Sequence, residues 1–543
     1  MLFFYLSFLS FFTVENDTRS YLFILSSLLE AIFIYALYEQ SKGILLKFFA
    51  IIFSVIYISQ IYSIYKTGGL LSPLAIQNAQ TATTTTMTFT GLYVLLILLM
   101  FVLILRHSGY LSTFFKLKIN KYVIGFLVIA PYPFTTTPDN INIRYMDSPI
   151  RSFIKTISHS ALGTDSNVDI NPSVLSEIRK SHFYQNQNNH LRIEKKNILV
   201  VFSEGFSARW IYEYSGQYPE LTPSLNSIYK RSYVIDNYYN HTAATFRGLR
   251  GQMLSVFQKS GGWSHFKTGL AQKADKLNVK FDFNTPIQAL KRNGYKNYFF
   301  LSEENKLNEM LETMEFDQVY GRDALSESFQ KKDGEQIANL SDEELFDGVL
   351  TTLLDKNSKN EKFFAAVYNF DTHNGLDSNL KFKNYNNEVL NRFHKFDLVF
   401  GKFIKKFENS PLFDNTILIF TSDHSTFPGK SAKEADPTIP NVFVDKIPFM
   451  FFGKNIGHDI YNSDGATSIT FMPTLFDVFG LRNEPNMILG CSLFEKCITR
   501  SLGAIGKFFF KIQDDKIIEI TKTADYGSHI RLIEISYAIS DFE

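Results

Sequence analysis

Cysteine is almost absent: the 543 residues include only Cys491 and Cys497. Two such close neighbours make neither a zinc knuckle nor a disulfide framework. They allow at most one bridge and do not report the redox compartment. An excess of charge is missing too, with 55 Lys plus Arg against 54 Asp plus Glu and a net charge of +1. No long basic run with interleaved aromatics occurs, so nucleic acid is excluded as a partner. The chain is too long for one average domain, and two or more units are expected.

Apolar runs are plentiful and unevenly placed. Residues 1–137 are dominated by Phe, Leu, Ile and Tyr, whereas the remainder has the mixed texture of a globular domain. We therefore expect a transmembrane domain over 1–137, a juxtamembrane linker with helices over 138–196, and an extracytoplasmic domain over 197–543. Four spans are predicted at Tyr21–Leu37, Ile44–Tyr65, Gly91–Leu105 and Tyr122 to about Phe134. Leu2–Val14 is expected as a short fifth. It lacks the basic lead-in and the clean small-residue cleavage site of a secretory signal. Arg106, Lys116, Lys118 and Lys121 separate the last two spans, and Lys42 and Lys47 surround the connection of the second and third. Positive charge stays on the cytoplasmic side, so both connections belong inside. The nearly uncharged Thr-rich loop 67–90 then lies outside, as does everything after residue 140. Glu30 sits mid-span, where it is either a protonated packing carboxyl or a headgroup contact.

In the second part, short apolar runs bounded by polar residues read as buried strands at Asn197–Phe202, Asn297–Leu301, Phe363–Tyr368, Thr416–Phe420 and Ile447–Phe452. Segments of helical period separate them, among them Thr222–Lys230, Pro286–Asn293 and Val389–Phe407. Alternating strand and helix predicts an α/β domain with a mostly parallel central sheet flanked by helices. Ligands of such sheets gather at the carboxyl ends of the strands.

The residues at those ends carry chemistry. The first strand runs into Ser203-Glu204-Gly205 and the fourth into Thr421-Ser422-Asp423-His424. Carboxylates and an imidazole are the donors that zinc or manganese takes, although a strand-end Asp is commonly a helix cap or loop anchor. Between them, Thr245 either caps a following helix or acts as a nucleophile, with Thr242 as the alternative nucleophile. Arg247 and Arg250 are candidates for phosphate or sulfate binding. After the third strand, Asp371 and His373 are candidates for substrate contact or acid–base work, or for turn residues. Trp210, Trp263, His241 and His265 are better explained by packing than by an acceptor groove.

Taken in order, Asn197-Ile-Leu-Val-Val-Phe-Ser-Glu-Gly205, Leu221-Thr-Pro-Ser-Leu-Asn-Ser-Ile228, the Thr245 segment, Asp371-Thr-His373, Asp414-Asn-Thr-Ile-Leu-Ile-Phe-Thr-Ser-Asp-His424 and Lys446-Ile-Pro-Phe-Met450 resemble the alkaline phosphatase and sulfatase superfamily. Within it they resemble the membrane-bound branch of lipoteichoic acid synthases and phosphoethanolamine transferases. The resemblance implies one divalent metal, zinc or manganese, held by Glu204, Asp423, His424 and the Thr245 oxygen. It implies that Thr245 is the nucleophile and that His373 stands at the substrate phosphate. It further implies a bacterial cytoplasmic (inner) membrane enzyme, multi-pass, with its catalytic domain on the periplasmic or extracellular side. Such an enzyme would move phosphoethanolamine or phosphoglycerol from a phospholipid donor to a surface glycan or lipid acceptor.

Departures from the pattern matter as well. Ser425 replaces the usual Gly after the Asp-His pair, no His occurs from Ser425 to Gly457, and cysteines are few. These leave phosphoglycerol as open as phosphoethanolamine. No Cys-x-Pro-x-Arg type motif is present, so sulfate ester hydrolysis is not expected. The competing expectations are a membrane-anchored phosphodiesterase or phosphatase and a non-catalytic assembly protein that has kept the fold.

Overall fold

The computed structural model describes residues 196–520, except 259–284, 304–306, 308–309, 312–313, 327–338, 374–375, 377, 379, 441, 482–489, 496 and 506–507, together with 27–34, 44–67, 148–154, 191–194, 533 and 536. The chain divides into two compact units, 1–165 and 166–543.

In the first unit, helix α1 (Ile44–Thr67) covers the span expected at Ile44–Tyr65, and residues 27–34 are helical within Tyr21–Leu37. No helix among the described residues is long and apolar enough to cross a membrane. The other three expected spans lie outside the described residues. Glu30 is buried, and its carboxylate accepts the Ile150 N–H at 2.9 Å and the Ser148 hydroxyl. It serves as a packing and capping carboxylate for the segment that begins at residue 148.

The second unit is built on an eight-stranded sheet. Its strands are β1 (Asn197–Ser203), β2 (Tyr233–Asp236), β3 (Lys296–Leu301), β4 (Gln318–Tyr320), β5 (Phe363–Tyr368), β6 (Thr416–Ser422), β7 (Phe449–Phe452) and β8 (Asp459–Asn462). They lie in the order β4-β3-β5-β1-β6-β7-β2-β8. Neighbours run parallel except where β7 pairs antiparallel with β6 and β2. The run expected to start at Ile447 enters the sheet only at Phe449, because the Ile447 N–H is taken by the Tyr238 carbonyl at 2.8 Å.

All seven residues of β1 are buried, as a central parallel strand requires, and alternate side chains feed two separate cores. Ile198, Val200 and Phe202 pack with Leu249 and Met253 of α3 (Thr245–Leu254), Leu290 of α4 (Pro286–Arg292) and Leu475 of α7 (Phe471–Val478). Leu199 and Val201 face Leu225 of α2 (Pro223–Tyr229), Phe346 of α5 (Asp342–Ser358) and Phe393 and Phe400 of α6 (Glu388–Glu408).

Helix α6 shows how the sequence writes such an element. Phe393, Phe396, Phe400, Phe403 and Phe407 recur every three or four residues and form one buried stripe. Asn387 caps its start, accepting from Val389 N at 3.0 Å and Leu390 N at 3.2 Å, while Lys405 and Lys406 sit in the last turn.

Helix α5 and the short strands β2, β4 and β8 were not anticipated. A three-stranded antiparallel sheet, β9 (Leu502–Ile505), β10 (Phe508–Gln513) and β11 (Lys516–Glu519), was not expected either. Asp514 and Asp515 turn its last hairpin at φ 50° and 56°, the left-handed pair that a tight two-residue hairpin uses. Cys491 and Cys497 are disulfide-bonded.

Candidate active site

Strand register assembles the site. β1 and β6 are adjacent and parallel, with Ser203 opposite Ser422, so the next residue of each strand, Glu204 and Asp423, leaves the sheet at the same level. On the other flank Phe202 pairs with Tyr368, the last residue of β5, which brings the tyrosine hydroxyl to the same edge. Loop contacts then lock each group. Asp423 Oδ1 accepts from Gly205 N at 2.9 Å and from His424 N at 2.8 Å. Asn369 Oδ1 accepts the Glu204 N–H at 2.9 Å, and the Thr372 hydroxyl donates to the Glu204 carbonyl at 2.8 Å.

Three electron-rich atoms face one another in this edge. His424 Nδ1 lies 2.8 Å from the Ser425 carbonyl, which can only accept, so the proton is on Nδ1 and Nε2 presents a lone pair. That Nε2 is 3.3 Å from Asp423 Oδ2 and 3.7 Å from Glu204 Oε1, and all three residues are buried. Asp423 Oδ2 is buried and receives no hydrogen bond among the described residues. Burial and the Glu204 charge push Asp423 well above the usual carboxylate range. Burial opposes the Glu204 charge as well, but His424, His373 and the Tyr368 hydroxyl outweigh it and hold Glu204 low. Burial also lowers His424, keeping the ring neutral. Two carboxylates and a neutral imidazole, with ligand atoms within 4.8 Å of one another and one oxygen left without a donor, fit a divalent cation.

Thr245 does not cap its helix. Ala244 is the N-cap residue and Thr245 is the first residue of α3, so the capping role considered for its hydroxyl is not the one it plays. The hydroxyl donates to Glu204 Oε2 at 3.1 Å and lies 3.3 Å from Tyr368 OH, whose single proton goes to Glu204 Oε2. Ala244 holds φ 71° and ψ 150°, a region costly for any residue with a Cβ, of order 1–3 kcal/mol. That strain aims Thr245 at the ligand group. Helix α3 can come this close because Gly248 has no side chain: a methyl there would lie 2.3 Å from the Asp423 carbonyl oxygen. Gln252 of the same helix donates to the Ser422 and Asp423 carbonyls at 3.0 Å each.

The remaining candidates fall into place differently. His373 is half-buried against the Phe370 ring, 4.8 Å between centroids, and its charge is felt by both Glu204 and His424. Asp371 is paired with Lys395 at 2.8 Å, an engagement that gives its carboxylate a structural partner. Arg247 is buried, donates to the Ala243 carbonyl at 2.9 Å, and lowers both His424 and His241 by its charge. Arg250 is buried farther along α3. Thr242 is buried three residues before Thr245, and its hydroxyl makes no hydrogen bond among the described residues. Trp210 and His241 are packing residues, bonded to Thr426 Oγ1 and Ser468 Oγ, whereas Trp263 and His265 lie outside the described residues.

Tyr368, Asn369, Asp342 and Glu303 were missed. Asp342 is buried at the start of α5, accepts from Asn369 Nδ2, Phe370 N and Asp371 N, and so carries the Asn369–His373 segment. Glu303 follows β3 in a Ser302-Glu303 pair like Ser203-Glu204, a signal available in the sequence. Burial and the Glu204 charge push it up to about 7.

The sulfatase family model matches residues 196–481, more than half of the chain and the whole of this site. The chain belongs to the sulfatase family. It is accordingly a sulfatase-like enzyme of a metal-dependent superfamily, and the Glu204, Asp423 and His424 group could hold the metal. Among solved structures, this sulfatase-family chain is similar to a protein of the alkaline phosphatase superfamily from Vibrio parahaemolyticus, at 19% identity, 68% of this chain, 94% of that chain and a TM-score of 0.52. That likeness is one of fold. Also similar are the lipoteichoic acid synthase LtaP from Listeria monocytogenes (16%, 68% and 96% covered, TM-score 0.48) and the C-terminal periplasmic domain of EcEptC from Escherichia coli (14%, 65% and 98% covered, TM-score 0.39).

Proposed function

We propose that the protein is a phosphotransferase that moves phosphoethanolamine or phosphoglycerol from a membrane phospholipid to a cell-surface glycan or lipid by way of Thr245. The observation that carries this is the Thr245 hydroxyl itself. It stands at a helix N-terminus behind a strained residue, bonded to Glu204 and 3.3 Å from Tyr368 OH, beside a buried ligand set that fits a divalent ion. A Thr at this place, and no Cys-x-Pro-x-Arg type motif, favours phosphoryl over sulfuryl chemistry. When bound, zinc or manganese would lower the hydroxyl pKa and neutralise charge developing on phosphate.

In this reading Thr245 Oγ1 attacks the headgroup phosphorus, its proton passing to the Glu204 side. The bond from phosphorus to the lipid glycerol oxygen breaks and that oxygen takes up a proton. The acceptor hydroxyl then attacks the phospho-threonine, breaks its P–O bond and restores the Thr245 hydroxyl. His373 and Arg247 hold charge on the phosphate oxygens. A cytoplasmic (inner) membrane location, with the catalytic unit on the periplasmic or extracellular side, places the site beside a lipid donor and raises its effective concentration. The apolar runs in residues 1–137 and the Cys491–Cys497 bridge support that placement.

Intact-mass analysis of the purified protein and of Thr245→Ala tests the nucleophile. An adduct of phosphoethanolamine or phosphoglycerol mass in the wild type alone is expected. An adduct that survives in Thr245→Ala would move the nucleophile elsewhere, and release of the headgroup to water with no need for an acceptor would make the enzyme a hydrolase.

A further inference from the structure

A second concave feature lies apart from the ligand group, and nothing in the chemistry above uses it. It is a cavity of about 370 Å³ walled by the rings of Tyr218, Phe382 and Tyr385, with Glu220 and Lys383 at its polar margin. That volume falls within the range of ligand pockets, roughly 300–1,000 Å³. We propose that it is a carbohydrate subsite, which seats the sugar of a glycan acceptor.

Ring geometry is the first reason. Phe382 and Tyr385 are stacked at 5.6 Å and 9°, and Tyr218 stands edge-on to both, at 6.4 Å and 5.9 Å. Tyr385 lines the cavity and is 46% exposed, so part of this aromatic cluster is open to solvent. The weakly positive C–H face of a sugar ring packs on such negative ring faces. The walls are also fixed in advance. The Tyr218 hydroxyl donates to the Ala435 carbonyl at 2.6 Å, and Phe382 N donates to Asn391 Oδ1 at 2.8 Å. Tyr218 and Lys383, both lining residues, hold φ of 50° and 51°, left-handed backbone that costs energy in both. Pre-set walls reduce the ordering cost of binding.

Charge selects the class of ligand. Lys383 Nζ and Glu220 Oε2 are paired at 2.7 Å, and the ammonium lies 5.6 Å from the Phe382 ring centroid. The pair is net neutral and offers no excess charge to a simple cation or anion. A neutral polyol can accept from Lys383 and donate to Glu220 at once.

Position selects the role. The cavity is made by the loops that follow β1 and β5, at the carboxyl edge of the sheet. Tyr218 lies 6.4 Å from the Trp210 ring, and Trp210 Nε1 donates at 2.8 Å to Thr426, two residues beyond His424. These contacts link the wall of the cavity to the loop that carries His424. The acceptor role rests on the transferase reading, whereas sugar binding as such does not.

Titration of the purified full-length protein, kept free of sugar-headed detergent, with maltotriose and with tri-N-acetylchitotriose tests the subsite by calorimetry and intrinsic fluorescence. Choline chloride and glycerol phosphate serve as the charged comparisons. Saturable binding of at least one trisaccharide is expected. Tyr385→Ala should weaken it about tenfold, the effect of roughly 1.4 kcal/mol lost with one stacked ring, and Tyr385→Phe should preserve it. Because Tyr385 is 46% exposed, its truncation leaves the cores intact, and an unchanged thermal melt checks that. Binding of neither sugar, equal binding by Tyr385→Ala, or saturation by choline or glycerol phosphate alone would overturn the proposal. Sugar binding retained in Thr245→Ala, with no wild-type adduct, would leave the subsite standing and remove the transferase.

Discussion

Replacing Gly248 by Ala adds one methyl group at the point where α3 crosses the ligand loop. That methyl would sit 2.3 Å from the Asp423 carbonyl oxygen, against the 3.4 Å at which ordinary contact begins, a shortfall of about 1.1 Å. Neither side yields easily. The obstructing atom is backbone, and Gln252 ties α3 to that same carbonyl and to that of Ser422. Either the helix start moves, carrying Thr245, or the end of β6 moves, carrying Asp423 and His424. Overpacking of this kind costs about 1–3 kcal/mol of stability, and displacement of reacting groups by about 1 Å costs on the order of 100-fold in rate. The assay pairs metal content by elemental analysis with turnover of a soluble phosphodiester and with a thermal melt. Gly457→Ala, where a methyl meets nothing within 4 Å, is the control. We expect Gly248→Ala to lose metal affinity and about two orders of magnitude in rate while remaining folded. Wild-type metal content and wild-type rate in that variant would refute the close approach of α3 as the device that assembles the site.

Two further perturbations follow from the same geometry. Tyr368→Phe removes the hydroxyl that donates to Glu204 beside Thr245, a buried hydrogen bond worth about 1–3 kcal/mol. Metal content should be unchanged and kcat should fall about 10- to 100-fold, so an unaltered kcat would exclude a positioning role. Asp397 is buried and accepts from Ser224 N and Leu225 N at the start of α2, yet burial raises it to about 6, against the opposing pull of those amides and His394. A carboxyl raised in the folded state binds the proton more tightly there, so stability falls as pH climbs from about 4 to 6 and is flat above. The total is roughly 3 kcal/mol. Asp397→Asn lacks this slope, and a constant difference in denaturant midpoint between the two proteins across that window would contradict the assignment.

How much was legible in the sequence depends on whether a residue's role is local. Strands β1, β5 and β6 are short apolar runs buried on both faces, and their ends deliver Glu204, Asp423 and His424. Composition and position suffice there, because a central parallel strand has no polar face to disguise it. The Phe stripe and Asn387 cap of α6 are equally local. Strands β2 and β8, four residues each, and the three-residue β4 lack enough periodicity to register, and they exist because a neighbour completes their hydrogen bonds.

Tertiary structure alone decided what those groups do. Tyr368 joins the site because β5 pairs beside β1 in a register that a one-residue slip would ruin, and register is a property of the pair, not of either strand. Thr245 is freed from capping by the strained Ala244, and Gly248 matters only through the Asp423 carbonyl opposite it. The sequence by itself determined the sheet's inner strands, the donor set at their ends and the identity of the hydroxyl between them. The close approach of helix to strand end, the neighbours that set each group's charge, and the aromatic cleft beyond them arise from contacts between residues far apart in the chain, which no local pattern encodes.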